Sequence, residues 1–153
     1  MGLLERIFGG TQARDAVRSD HRLLALPDDD HMSVVGESFY QDALRALAAR
    51  CTSGTDGRPS FEAVLVAEPD NPYDANAIAV HGPTGKVGHL SRETAERYAE
   101  SFELLRNAGY DGGSCIGLLN GGDPDRPNYG VVLKLAYPET CEERLDALLG
   151  GRA

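Results

Sequence analysis

The chain is short of the residues that build metal centres and covalent catalysts. Its three cysteines, Cys51, Cys115 and Cys141, are an odd number and lie far apart. No CxxC pair or histidine-rich spacing accompanies them, which argues against a disulfide framework and against a zinc site. They read as free buried thiols of a reducing compartment, and the expected location is the cytoplasm. HExxH, GxSxG and the phosphate-cradling GxxxxGKS/T loop are missing, so the common hydrolase and nucleotide-binding signatures are absent. No apolar run approaches a membrane span, no cleavable signal is visible, and no membrane association is expected. Arg6 stands where N-myristoylation needs Ser or Thr. Positive charge is also scarce: 15 Lys and Arg face 24 Asp and Glu, for a net charge of −9. That balance argues against long, sequence-independent binding to phosphate backbones. It leaves room for a nucleic-acid end, where one or two phosphates and a terminal hydroxyl carry the contact. The cations available for a local patch are Lys86, Arg92, Arg58 and Arg45, while the acids are spread along the chain and densest at Asp28-Asp29-Asp30.

A chain of 153 residues suits one domain with a respectable core. Met1 to Gly10 has the spacing of a short amphipathic helix, with Leu3, Leu4, Ile7 and Phe8 on one face. Alone it is too short to be stable, so it must dock on its own domain or a second copy, or else on a membrane surface or a partner protein. Thr11 to Asp30 reads as a polar linker with one docked segment, Leu23-Leu24-Ala25-Leu26. His31 to Gly36 reads as a strand, followed by a helix to about Arg50. The helix's buried stripe is Tyr40 or Phe39, Ala43, Leu44, Leu47 and Ala48. Thr52 to Pro59 reads as a loop and Phe61 to Ala67 as a strand. Asn76 to His81 and Lys86 to Leu90 read as a hairpin turned at Gly82-Pro83-Thr84-Gly85, with Ile78 and Val80 on one face.

Ser91 is an N-cap for a helix to about Asn107, with Ala95, Tyr98, Ala99, Phe102 and Leu105 as its apolar face and Gly109 past its end. Ser114 to Leu119 and Tyr129 to Leu135 read as paired strands around a long turn. Thr140 and Glu143 read as a capping box for a last helix to Leu149, with Cys141, Leu145, Leu148 and Leu149 pointing one way. Short strands with two intervening helices and no βαβ repeat predict a mainly β fold with α additions (α+β). The architecture is a small, partly open β-barrel with short terminal helices. The expected boundaries are 1–30 for the N-terminal helix and acidic linker, 31–136 for the barrel and 137–153 for the C-terminal helix.

The stretch that concentrates chemistry is Glu68 to Leu90, EPDNPYDANAIAVHGPTGKVGHL. Pro72 fixes its own φ, and Asn71, Asp74 and Asn76 can bond neighbouring backbone groups to hold a tight loop. Such a loop presents a ring, Tyr73, beside a carboxylate, Asp74. The ring can stack on any base, and the carboxylate and amides can bond hydroxyls or amines. Turn chemistry alone also accounts for both residues, with Tyr73 as a loop-packing aromatic and Asp74 as an Asx turn or strand cap. Lys86, His89 and Arg92 follow on the second hairpin strand and its exit, within reach of a phosphate. Asp70, Asp74, Asn71 and Asn76 look like oxygen ligands, but the spacing of a calcium loop is absent. No metal or other cofactor is expected, and catalysis is poorly supported.

EPDNPYDANAIAV followed by GKVGHLSRE, with VVGESFYQDAL at Val34 to Leu44 upstream, resembles the HIRAN domain. The similarity runs from about Met32 to Leu135. HIRAN domains open some SNF2-type remodelling helicases and also occur as small stand-alone bacterial proteins. The resemblance implies an OB-like barrel that captures the 3′ end of single-stranded DNA. It implies stacking by Tyr73 and by Phe39 or Tyr40, with Asp74 accepting from the 3′ hydroxyl. His89 matches a family position, and phosphate contacts are expected from it and from its neighbours Lys86 and Arg92, with Asn71 in the loop of Tyr73. The chain departs from the family at Ser38-Phe39-Tyr40, where the pattern carries Arg-Tyr-Tyr. The missing Arg removes a phosphate contact. The function expected is therefore a non-enzymatic module that binds single-stranded DNA ends and recruits or senses in DNA repair or replication. The alternative is a protein-interaction module on the same barrel, partnering another protein or itself through the terminal helices. A metal-dependent nuclease is a weaker alternative.

Overall fold

The computed structural model describes residues 22–53 and 57–150. The helix expected at Met1 to Gly10 and the start of the linker lie outside the described residues.

Eight strands form one curled sheet: β1 (Leu23–Ala25), β2 (His31–Ser33), β3 (Thr52–Ser53), β4 (Pro59–Ala67), β5 (Ile78–Gly82), β6 (Gly85–His89), β7 (Gly112–Asn120) and β8 (Gly130–Lys134). The order is β2-β8-β7-β4-β5-β6, with β3 paired to β4 and β1 lying parallel to β7. The two ends of this order meet at one bridge. Val35 N donates to the His89 carbonyl at 2.8 Å and His89 N to the Val35 carbonyl at 2.9 Å. The sheet is thus a β-barrel closed along one seam by a single residue pair, mainly β with α additions. Gly88 sits on that seam. A Cβ there would lie 2.5 Å from Val34 Cγ1 and 2.6 Å from the Val35 carbonyl oxygen, so only glycine lets the two segments approach.

Helix α1 (Gln41–Ala48) packs on β6, and Thr84 Oγ1 in the hairpin turn donates to the Ala43 carbonyl at 2.6 Å. After β6 come α2 (Arg92–Arg97) and α3 (Ala99–Asn107); after β8 comes α4 (Pro138–Leu145), continued by one π turn (Asp146–Gly150). One core cluster joins Leu65, Val80, Val87, Leu119 and Leu133 of the sheet to Leu44 and Leu47 of α1, Phe102 and Leu105 of α3, and Cys141 and Leu145 of α4. Each such side chain contributes ~1.5–3 kcal/mol by leaving water. No helix among the described residues is long and apolar enough to cross a membrane.

Several local expectations are corrected. Leu23–Ala25, read as a docked piece of linker, is a strand of the sheet, and Thr52–Ser53, read as loop, pairs with Pro59 and Ser60. β5 is buried along its whole length, not on the Ile78–Val80 face alone, because other parts of the fold cover both of its faces. Phe39 does not join the buried stripe of α1. The helix begins after it, and Leu44 and Leu47 supply the contact. The helix expected from Ser91 to Asn107 starts at its cap, with Thr94 N donating to Ser91 Oγ at 3.1 Å, but it bends at Tyr98. There the buried phenol donates to the Ala136 carbonyl. Thr140 does not cap the last helix. Pro138, whose fixed φ and missing N–H suit the first helical position, starts it three residues earlier than that cap would. Leu148 leaves the apolar face and is exposed, since the π turn rotates it away from Cys141 and Leu145.

Candidate functional site

The loop between β4 and β5 is closed by its own side chains. Asn71 Oδ1 accepts from Tyr73 N at 2.9 Å and from Asp74 N at 3.2 Å, and Asp74 Oδ1 accepts from Asn76 N at 2.9 Å. Glu68 N donates to the Ala77 carbonyl at 2.8 Å and Ala77 N to the Asp74 carbonyl at 3.0 Å, which seals the loop's base. These are the bonds that Asn and Asp favour in turns, where a short polar side chain replaces a backbone acceptor. The result is a stiff corner from which Tyr73 projects with 85% of its surface in water.

Asp74 lies beside that ring with its side chain only 19% exposed. Its Oδ1 is used within the loop, while Oδ2 stands 3.8 Å from Arg92 Nε, outside hydrogen-bond distance. Arg92, the first residue of α2, reaches back and donates through Nη2 to the Tyr73 carbonyl. It therefore braces the loop, with the Arg92 side chain as a whole 74% exposed beside the carboxylate. Five donors in a planar fork exceed what those contacts use.

A second group of residues gathers on Glu68, at the end of β4. Lys86 Nζ donates to Glu68 Oε2 at 2.8 Å, His89 Nε2 lies 2.9 Å from Oε1, and Asn71 Nδ2 donates to Oε1 at 3.1 Å. Burial pushes the Glu68 carboxyl up, but these three hydrogen bonds and the Lys86 charge outweigh it and hold the pKa at about 2. The His89 ring in turn faces Tyr40, centroids 6.5 Å apart and planes tilted by 48°.

Tyr40 follows a 3-10 turn, Glu37–Phe39, that packs beside β6. The turn is pinned to the start of β8. Glu37 Oε2 accepts from Val131 N at 3.0 Å, and Gln41 exchanges bonds of 2.9 Å with both backbone groups of Tyr129. On this support Phe39 is 84% exposed.

Of the residues singled out in the sequence, Tyr73, Asp74, Arg92 and Asn71 share one corner, and Lys86, His89 and Tyr40 join it through Glu68. Phe39 stands on the neighbouring turn. Glu68 itself was not recognised as part of the constellation. Two of its three partners lie 18 and 21 positions away, and only the pairing of β4, β5 and β6 brings them to it. Arg45, counted among possible cations, pairs with Asp42 on its own helix. No group of His, Cys, Asp and Glu among the described residues could hold a metal ion. The three thiols are free, and burial raises the pKa of each, that of Cys115 to about 12. They are poor nucleophiles in that state.

Acid collects elsewhere. Glu100 and Glu103 of α3 face Glu139, Glu142, Glu143 and Asp146 across a groove of about 470 Å³. Hydrogen bonding to Glu100 raises the Glu142 pKa. None of these residues belongs to the elements that carry Tyr73 or Phe39.

The small barrel thus presents one exposed ring, Tyr73, beside a carboxylate and a guanidinium, and a second exposed ring, Phe39, on another turn. Residues 33–110, just over half of the chain, match the model of the HIRAN domain, and the chain belongs to that family. It is similar to the crystal structure of the HIRAN domain of human HLTF, at 21% identity and a TM-score of 0.41, covering 80% of this chain and 90% of that one. It is similar also to the NMR structure of the HLTF HIRAN domain in its DNA-bound conformation, at 20% identity and a TM-score of 0.41, covering 82% and 91%. No curated protein matches the chain.

Proposed function

We propose that this protein is a nucleic-acid-binding module that recognises the 3′ end of single-stranded DNA and acts without catalysis, recruiting or sensing at DNA ends in repair or replication. The observation that carries the reading is Tyr73: a large ring left in water on a loop whose polar groups are already bonded to one another. A ring held this stiffly loses little entropy on stacking, and each base–aromatic stack contributes ~1–3 kcal/mol. Phe39 offers a second ring from the pinned turn. Asp74 Oδ2 accepts from a terminal hydroxyl, a donor that an internal nucleotide does not have at that atom. Arg92 meets the adjoining phosphate. Membership of the HIRAN family supports the ligand class, since the HLTF HIRAN domain has a DNA-bound conformation.

The test is titration of a short labelled oligonucleotide at low salt with wild type and Tyr73→Ala. The substitution is expected to weaken binding about 5- to 150-fold while leaving the melting curve in place, because the side chain is almost wholly in water. Equal affinity for the two proteins would remove stacking from the account. The net charge of −9 favours a second reading, a module for a protein partner. That reading predicts no oligonucleotide binding at all.

A further inference from the structure

Glu68 has an arrangement that the nucleic-acid reading does not by itself require. Two of the three donors on its carboxylate, Lys86 and His89, are groups a phosphate would otherwise meet. We propose that Glu68 is a specificity-determining residue of the site: it withdraws Lys86 and His89 from phosphate, so that stacking and terminal hydrogen bonds hold the ligand and backbone charge does not. The proposal rests on the single-stranded DNA reading above.

Geometry supplies the reason for each partner. The Lys86 ammonium sits 2.8 Å from a carboxylate oxygen in a half-buried pocket, its side chain 29% exposed and that of Glu68 20%. A pair this close presents no net charge at a distance, so Lys86 attracts a phosphate weakly. His89 is engaged through its ring Nε2. An ionised carboxylate only accepts, so Nε2 carries the hydrogen. That nitrogen is engaged by Glu68 at 2.9 Å and is withdrawn from a phosphate oxygen. Asn71 ties the same carboxylate to the loop that carries Tyr73, so the screening acid and the stacking ring keep a fixed relation.

Salt dependence reads this directly. For single strands the slope of log K against log salt is about −0.7 for each phosphate neutralised. A labelled oligonucleotide with a free 3′ hydroxyl is titrated over a salt series. Wild type is expected to give a slope of roughly −0.7, one phosphate, and Glu68→Gln a slope steeper by about 0.7 as Lys86 is released. A steeper slope supports the proposal whatever the affinity. An unchanged slope, with affinity lowered or not, assigns Glu68 a purely structural role and overturns it.

Should Glu68→Gln fail to fold, Lys86→Gln in the otherwise native chain decides. An unchanged slope supports the proposal, and a slope shallower by about 0.7 overturns it, since Lys86 would then already be neutralising a phosphate. Wild type that binds no oligonucleotide overturns the DNA reading and this proposal with it. Wild type that binds, with Glu68→Gln unchanged in slope, overturns this proposal alone.

Discussion

His81 lies within β5, whose faces are both covered, and only 3% of its surface reaches water. Burial, and after it the Lys86 charge, lowers its pKa from 6.5 to about 4, against a smaller opposing effect of Glu68. Between those values the unfolded chain binds a proton that the folded chain refuses. The stability this residue contributes is therefore complete above pH 6.5 and is lost progressively as pH falls to 4, up to about 3 kcal/mol. Urea midpoints measured from pH 7.5 to 4.5 are expected to fall for wild type and to fall less for His81→Leu. Parallel profiles would show that the imidazole is not held neutral. Tyr73 behaves in the opposite way: nothing in the fold depends on its ring, so its substitution separates binding from stability. That separation cannot be had at Asp74 or Asn71, whose oxygens close the loop.

Among the elements, the seam between Val35 and His89 is held by a single residue pair and lies next to the site. Two hydrogen bonds close it, and Gly88 permits their approach. Gly88→Ala is expected to cost about 1–3 kcal/mol through overpacking, seen as a lower urea midpoint at unchanged m. Full stability in this variant would mean that the seam yields easily. The hairpin, the Asx-closed loop and the Ser91 cap were legible in the sequence because each is local: a turn residue, an amide or a hydroxyl acts within three positions. The seam, the parallel β1–β7 pair and the Glu68 cluster were not, since each depends on segments brought together across the barrel. Thr140 misled for a local reason: a capping pattern sat inside a helix that Pro138 had already begun.

For the whole molecule, the acidic balance and the proposed ligand are reconciled by where charge sits. A groove lined with glutamates from α3 and α4 holds part of the excess, on elements that carry no site residue. At the site itself the exposed cation is Arg92, with Lys86 taken up by Glu68. Such a surface is unsuited to gripping long stretches of phosphate and suited to a terminus, where contact is short and chemically distinct. The most direct check is competitive titration of two oligonucleotides that differ only in carrying a 3′ hydroxyl or a 3′ phosphate. Tighter binding of the hydroxyl form, by about tenfold to a hundredfold, is predicted from one hydrogen bond to the Asp74 carboxylate. Equal affinity for the two ends would contradict the assignment of that carboxylate and, with it, the recognition of a strand terminus.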